Sequence, residues 1–555
     1  MDISTLPWWK TAAFYQIWPR SFKDGNGDGI GDLQGVLEKL DYIKDLGCDA
    51  IWFSPLYPSP NADYGYDIAD YRDIHPEYGD LELFKQVIAA CRERGIKVVV
   101  DLVVNHTSDE HPWFKASLDP TSPYREYYFW REGHEDKPPN NWLSVFEGKA
   151  WELDPDTQTW YLHVFAKKQP DLNHENPKVR EEVKDIMRFW LEMGVDGFRE
   201  DVITYIAKRE GLPNGLPLPV GTGIEHYTGL PKVKEYLKEY REGALLPYDA
   251  FTVGEAPMMT PEKALEYIDE TAGSKTLDLM FHFQHMEADS LLTDWVPLPF
   301  NLIKLKRAFN AWQQKMRGKG WNALYIENHD HPRIISRYGS EKYRVESGKT
   351  LAAMYLLQSG TPFIYQGQEI GMVNTEFGSV DESKDVLTYN NWRMVQKVRL
   401  SEHNFLKIAN RRSRDHARTP MQWTAEKNAG FTSGTPWFAV NKNYPEINAT
   451  AALRDENSLW HWYQKLLAYR KNNPLVLFGT YLDLAPLDPH RYIYVREYAN
   501  QKLLVMLAFG EKPLKMKLPE GFGNAKLLFS NYAAPETPED TYTARPYECR
   551  VYQVG

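Results

Sequence analysis

The sequence predicts an α/β protein: a (β/α)8 TIM barrel with an inserted subdomain after strand 3 and a C-terminal antiparallel β domain. Three observations predict it. Strand and helix patterns alternate through the first hundred residues. Eight short apolar runs, the count of a closed β/α barrel, read as strands. Beyond about residue 474, short apolar runs alternate directly with turns.

The first strand is "FYQIW" (14–18). "GVLEKLDYIKDLG" (35–47) follows with helical apolar spacing and a glycine stop. "AIWFSP" (50–55) is the second strand, and "LELFKQVIAACRERG" (81–95) a helix ending on glycine. "IKVVVDLVVNH" (96–106) is a continuous β-branched run, as suits a parallel strand covered on both faces. The alternation then breaks. Residues 107–168 are rich in Pro, Asn, Trp, Tyr and charge, and are too long for a structureless loop. It resumes with "NPKVREEVKDIMRFWLEMG" (176–194), where Asn176 can cap and Pro177 suits the first helical position. Strands follow at 197–202, 249–255, 277–281, 322–328 and 361–365. Residues 372–456 read as a second irregular insertion, and 457–472 as the last barrel helix. The expected domains are therefore a barrel over 1–106 and 169–473, an inserted subdomain over 107–168, and a C-terminal β-sandwich over 474–555.

Composition narrows the function. The chain has 555 residues and a net charge of −11, so it lacks the basic surface that phosphate backbones require, and nucleic acid is excluded as partner. No stretch of about 18 apolar residues offers a membrane span, and no leader-like N-terminus is visible. The three cysteines, Cys48, Cys91 and Cys549, form no disulfide framework. A cytoplasmic protein, monomeric or weakly self-associating, is expected. Aromatics make up 14% of the chain, enough for a large core and for rings that stack on sugar faces.

Three carboxylates carry the chemistry. Asp201 in "GVDGFREDVIT", Glu255 in "FTVGEAP" and Asp330 in "IENHDHPR" each close an apolar strand. Carboxylates at the ends of different strands of one sheet can meet in a single pocket. Two can split a glycosidic bond, one as nucleophile and one as proton donor. A third negative charge favours the cationic transition state.

Six motifs in order then resemble the α-amylase family of glycoside hydrolases (family 13), and within it the oligo-1,6-glucosidase branch. They are "DLVVNH" (101–106), "QPDLN" (169–173), "GFREDV" (197–202), "GEAP" (254–257), "NHDHPR" (328–333) and "RDHARTPMQW" (414–423). The resemblance implies Asp201 as nucleophile, Glu255 as acid/base and Asp330 as transition-state stabiliser, with retention of the α configuration. Arg199, two residues before Asp201 on the same strand face, is expected to keep the nucleophile ionised. The resemblance also implies a pocket for one terminal glucose. Asp63, Tyr66, His106 and His329 would bind it, Phe165 and Gln169 would wall it, and Arg414 with Asp63 would close its end. Phe146 is a further candidate for the wall. The activity implied is exo-acting α-glucosidase action on short oligosaccharides.

Val202, directly after the nucleophile, resembles the α-1,6-active members, and Pro257 the short-substrate isomaltases. Three positions depart from the pattern: Glu200, Ala256 and His331. They bear on the leaving group, and His331 is expected to face the acceptor subsite. Trehalose-6-phosphate hydrolases share most motifs but need a basic cluster, for which Lys167 and Lys168 are the candidates. Sucrose isomerases fit less well, given Val202 and "IISRYGSEKYR". The non-catalytic transporter heavy chains with the same barrel lack the carboxylates and carry a span.

"DGNGDGIGD" (24–32) places oxygen ligands at alternating positions: Asp24, Asn26, Asp28, the Ile30 carbonyl and Asp32. It imitates the start of an EF-hand loop without the closing Glu. With the resemblance, it implies a structural calcium ion away from the chemistry, which itself needs no cofactor.

Overall fold

The computed structural model describes residues 3–133, 137–146, 148–218 and 220–555. Eight parallel strands form the barrel: β1 (Phe14–Ile17), β2 (Ala50–Phe53), β3 (Lys97–Leu102), β4 (Gly197–Glu200), β5 (Phe251–Glu255), β6 (Leu279–Phe281), β7 (Ala323–Leu324) and β8 (Thr361–Tyr365). Hydrogen-bonded ladders run β7-β8-β1-β2-β3-β4-β5-β6. The edges β6 and β7 lie side by side within 8 Å, Cα to Cα, and close the barrel. All eight strands stand where the sequence predicts them. β7 is shorter than its apolar run: residues 325–328 leave the ladder on the way to Asp330.

Residue parity sorts the two faces of the barrel wall. Phe14, Trp52, Val99, Phe251, Leu279 and Phe363 fill the interior. Their neighbours Tyr15, Ile51, Val98, Met280 and Ile364 pack outward under the helices. The helix Pro177–Met193 starts on the Asn176 side chain, which accepts from the Lys178 N–H, and ends on Gly194 at φ 109°. Only a residue without Cβ adopts that angle at little cost. The helix expected over 35–47 is split into Leu33–Leu37 and Leu40–Leu46.

Between β3 and β4 the chain builds a three-stranded antiparallel sheet from Trp130–Glu132, Trp151–Asp154 and Thr159–Leu162. Beyond Pro474, five antiparallel strands form a sheet, beside a two-stranded ribbon. Lys306, on a barrel helix, is buried and donates to the carbonyls of Asp488 (2.8 Å) and Arg491 (2.9 Å), tying the C-terminal sheet to the barrel.

Candidate active site

The register of three strands assembles the centre. Asp101 on β3 pairs with Arg199 on β4, and Arg199 pairs with Val253 on β5. One step of two along each strand sets Asp201 level with Glu255. All four polar residues therefore point into the barrel at its C-terminal end, where sites of this fold sit.

Arg199 is the hub. Its Nη1 donates to Asp101 Oδ1 at 2.8 Å and Asp201 Oδ1 at 2.6 Å, and its Nη2 donates to Glu255 Oε2 at 2.6 Å. The guanidinium lies over Trp52, 5.2 Å from the ring centre. One cation thus faces three buried carboxylates. Burial raises Asp201 well above the usual carboxylate range; Glu255 and Asp101 push the same way, and Arg199 opposes them. Burial likewise pushes Asp101 up to about 6 against Arg199. Arg199, expected from sequence to keep Asp201 ionised, does pull that way, but its charge is shared with Asp101 and Glu255. Ionising all three acids would leave excess negative charge in a desolvated pocket, so the cluster favours holding a proton. Glu255 accepts both Arg199 Nη2 and, at 3.1 Å, the Val202 N–H on Oε2. Both donors fall on one oxygen, which leaves Oε1 clear of them.

Asp330 behaves oppositely. Burial would raise it, but His329 at 3.0 Å, Arg414 at 3.2 Å and Arg418 at 3.1 Å hold it well below the usual range. It is a fixed anion. His329 is pushed down to about 4 by burial, against the pull of Asp330. It is neutral, held between Gln16 (2.8 Å) and the Tyr66 hydroxyl (2.7 Å), with its ring parallel to Tyr66 at 5.2 Å. His106, pushed down to about 3 by burial, is neutral too, with Nε2 3.0 Å from the Tyr66 carbonyl. Gln169 Nε2 lies 3.2 Å from the same nitrogen and 3.3 Å from Asp63. Arg414 Nη2 donates to Asp63 at 3.1 Å and to Asp385 at 2.6 Å, closing one end.

These groups border a cavity of about 290 Å³, near the lower end of small-molecule sites. Of the residues expected from sequence, Asp63, Tyr66, His106, Phe165, Gln169 and Arg414 line it, together with Asp201, Val202, Glu255 and Asp330. Phe146 and Pro257 line it as well. Arg199, His329 and His331 do not; they stand behind the wall and act through their neighbours. His331, expected at the acceptor subsite, packs on Phe283 (5.7 Å between rings) and has Nδ1 3.4 Å from Asp294. Of the other departures, Ala256 is buried in the outer core and Glu200 points away from Asp201 by strand parity, so neither reaches the cavity. Lys167 and Lys168 line a separate, adjoining cavity beyond Phe146 and Phe165. Lys168 is paired to Asp109 and Glu110 there.

Sequence reasoning missed Asp101, Asp294, Asp385, Tyr205, Phe283 and Leu387. Asp101 opens the motif "DLVVNH", and its inward parity relative to Val99 was available. Asp294 lies on the hairpin Ser290–Pro297 and Asp385 caps the helix Val386–Lys397, both in segments outside the barrel pattern read from sequence.

In the 24–32 loop the carboxylates turn onto backbone amides. Asp24 accepts from Asn26, Gly27 and Gly29, and Asp28 from Ile30. Asp32 accepts from Gly25 and Gly35, the latter at the start of a helix. Among the described residues, no three His, Cys, Asp or Glu side chains are gathered at metal-holding distance. The donors are all oxygen, which suits a hard cation. Asp32 is raised by burial and by the nearby Asp24 charge, though its amide donors oppose this.

Comparison with known proteins adds four findings. The family description "Alpha amylase, catalytic domain" matches residues 16–479. The oligo-1,6-glucosidase of Parageobacillus thermoglucosidasius is 48% identical over 99% of both chains. Among solved structures, a variant of the trehalose-6-phosphate hydrolase of Bacillus licheniformis superposes with a TM-score of 0.94 at 43% identity, covering 99% of this chain and 100% of that one. The isomaltulose synthase of Protaminobacter rubrum superposes at 0.95 with 39% identity and the same coverage. One fold thus carries three leaving-group chemistries, and the cavity wall must distinguish them.

Proposed function

The chain belongs to the α-amylase family of glycoside hydrolases, and from that premise we propose that it is an exo-acting, retaining α-glucosidase. It releases terminal glucose from α-1,6-linked and other short α-glucosides. One observation carries the reading: Arg199 joins Asp201 and Glu255 beneath a cavity whose end is closed by Arg414 and Asp63. A closed end admits one terminal sugar and no through-running chain.

The chemistry is the double displacement that two facing carboxylates perform. Glu255 gives the proton on Oε1 to the glycosidic oxygen, which leaves as the aglycone alcohol. Asp201 attacks the anomeric carbon from the opposite face and forms a covalent glucosyl ester. Proton loss from Glu255 restores an anion beside Arg199, which strengthens that ion pair as the bond breaks. Water then attacks the same carbon, Glu255 takes its proton, and Asp201 leaves. Two inversions give net retention. Asp330, anionic throughout, faces the developing oxocarbenium charge. Neutral His106 binds a hydroxyl without adding a competing cation, and neutral His329 holds the Tyr66 hydroxyl behind the wall.

Val202 narrows the acceptor side next to the nucleophile, which favours the α-1,6 linkage. The likeness to the oligo-1,6-glucosidase supports this. The 24–32 loop would take a calcium ion through Asp24, Asn26, Asp28, the Ile30 carbonyl and Asp32, adding stability and no chemistry. Among the described residues no helix is long and apolar enough to cross a membrane, and all three cysteines are free and buried. We place the protein in the cytoplasm, as a monomer or weak homo-oligomer.

The test is glucose release from isomaltose, maltose, sucrose, trehalose and trehalose 6-phosphate, with Asp201→Asn as control. The expected result is preference for isomaltose, α-glucose as first product, and loss of activity in the control. Preference for trehalose 6-phosphate, or isomerised sucrose as main product, would overturn the linkage assignment.

A further inference from the structure

The leaving-group side of the cavity can be located from the strands. Glu255 pairs with Phe281 on β6, and Phe283 follows two residues later and lines the cavity. Phe283 packs on His331, whose Nδ1 is 3.4 Å from Asp294. Asp294 itself lines the cavity, on the hairpin Ser290–Pro297. The Asp63–Arg414 pair closes a different end. Asp294 therefore stands on the Glu255 side, where the departing alcohol must lie.

This carboxylate is rigidly held. Arg337 Nη2 is 3.0 Å from Asp294 and 2.9 Å from the buried Asp289, which Arg412 also engages at 2.7 Å. Burial disfavours its charge, but Arg337, His331 and Arg412 outweigh that and keep Asp294 ionised well below the usual range. A third of its side-chain surface remains exposed, so it can still meet a ligand. Around it the cavity is strongly acidic. Asp63, Asp201, Glu255, Asp294 and Asp330 line it, and Arg414 is the only cation that does so among the described residues. Arg414 is already engaged by Asp63, Asp330 and Asp385.

We propose that Asp294 selects the leaving group: it accepts a hydrogen bond from a hydroxyl of a neutral sugar and repels a phosphorylated one. This rests on the α-glucosidase reading and sharpens it, because it names a residue by which this cavity would turn away a phosphorylated leaving group. His331 and Arg337 are positioning residues that fix the Asp294 carboxylate toward the cavity.

The test compares glucose with glucose 6-phosphate as competitive inhibitors, and trehalose with trehalose 6-phosphate as substrates. It uses the full chain, Asp294→Asn and Asp294→Lys. The unsubstituted protein is expected to bind glucose 6-phosphate at least about tenfold more weakly than glucose, since two like charges in a poorly screened cavity repel. Asp294→Asn narrows the gap by about tenfold, and Asp294→Lys closes or inverts it. Raising salt to about 1 M, with a screening length of about 3 Å, also narrows it in the unsubstituted protein. A gap unchanged in Asp294→Asn would overturn the proposal, and the isosteric amide keeps the fold for that comparison. An unsubstituted protein that prefers trehalose 6-phosphate to isomaltose would sink the α-glucosidase reading as well. One that prefers isomaltose while the gap stays fixed sinks this proposal alone.

Discussion

The backbone N–H of Val202 donates to Oε2 of Glu255 at 3.1 Å, so the residue after Asp201 holds the carboxylate of the neighbouring strand. Val202 reaches this position at φ 36° and ψ 38°. A β-branched side chain in the left-handed region costs on the order of 1–3 kcal/mol. The bend turns the chain off β4 just beyond Asp201 and aims the amide across to β5. The Val202 side chain meanwhile lines the cavity. One residue thus holds Glu255 by its backbone and lines the cavity with its side chain.

Replacing Val202 with Ala keeps the amide and trims the wall. The ratio of kcat/KM for maltose over isomaltose is expected to rise about tenfold, the order of effect of one or two methyl groups in a pocket. Initial rates on both disaccharides decide it, and an unmoved ratio would remove Val202 from the account of linkage choice.

Arg199→Lys retains one charge but loses the planar fork that reaches Asp101, Asp201 and Glu255 together. We expect kcat to fall by about 100-fold or more, the order of losing a preorganised electrostatic partner. The acid limb of the kcat/KM profile should move to higher pH. Weakening the cation raises the carboxylate that must be ionised, so the active form appears only at higher pH. A profile that keeps its acid limb would show that Arg199 does not set the charge state.

Glu200 is buried under the helices, and neither carboxyl oxygen has a protein partner among the described residues. Burial, helped by Asp278 and opposed by Arg241, pushes it up to about 8. Below the free-chain value of about 4.3 the group is neutral in both folded and unfolded chains and has no pH effect. Between there and about 8 the unfolded chain releases its proton while the folded one keeps it, so stability falls as pH rises. Above about 8 the penalty levels off. Glu200→Leu should therefore raise the melting temperature more at pH about 8 than at pH about 5, with a gain on the order of 1–3 kcal/mol. Equal shifts at both pH values would argue against a neutral buried acid.

Calcium added to chelator-treated protein should raise the melting temperature, by up to about 2.7 kcal/mol of stabilisation at a hundredfold excess over Kd. Asp24→Ala should abolish that response. Both forms should release glucose at similar rates well below their melting temperatures. No calcium response in the unsubstituted protein would mean that the amide-bound arrangement of Asp24, Asp28 and Asp32 is the whole role of the loop.

Much of this protein is decided by local chemistry. Continuous β-branched runs such as 97–102 can only be strands covered on both faces, and glycines 47 and 194 end helices at positive φ. That is why eight strands and their order could be read directly. The strand-end positions of Asp201 and Glu255 are equally local, since parity along a strand determines which side chains share a face. The same parity turns Glu200 and Ala256 away from the cavity.

Tertiary structure decided the rest, because it depends on registers and on segments outside the barrel pattern. The pairing of Arg199 with both Asp101 and Val253 makes one guanidinium serve three acids, and no spacing within β4 encodes that. Asp294 and Asp385 enter from a hairpin and an insertion hundreds of residues from Asp63, and only the folded chain brings Asp294 to the cavity and Asp385 to the Arg414 that closes it. The sequence alone determined which chemistry the chain carries; the packing of distant segments decided the charge that chemistry works in and the wall around it.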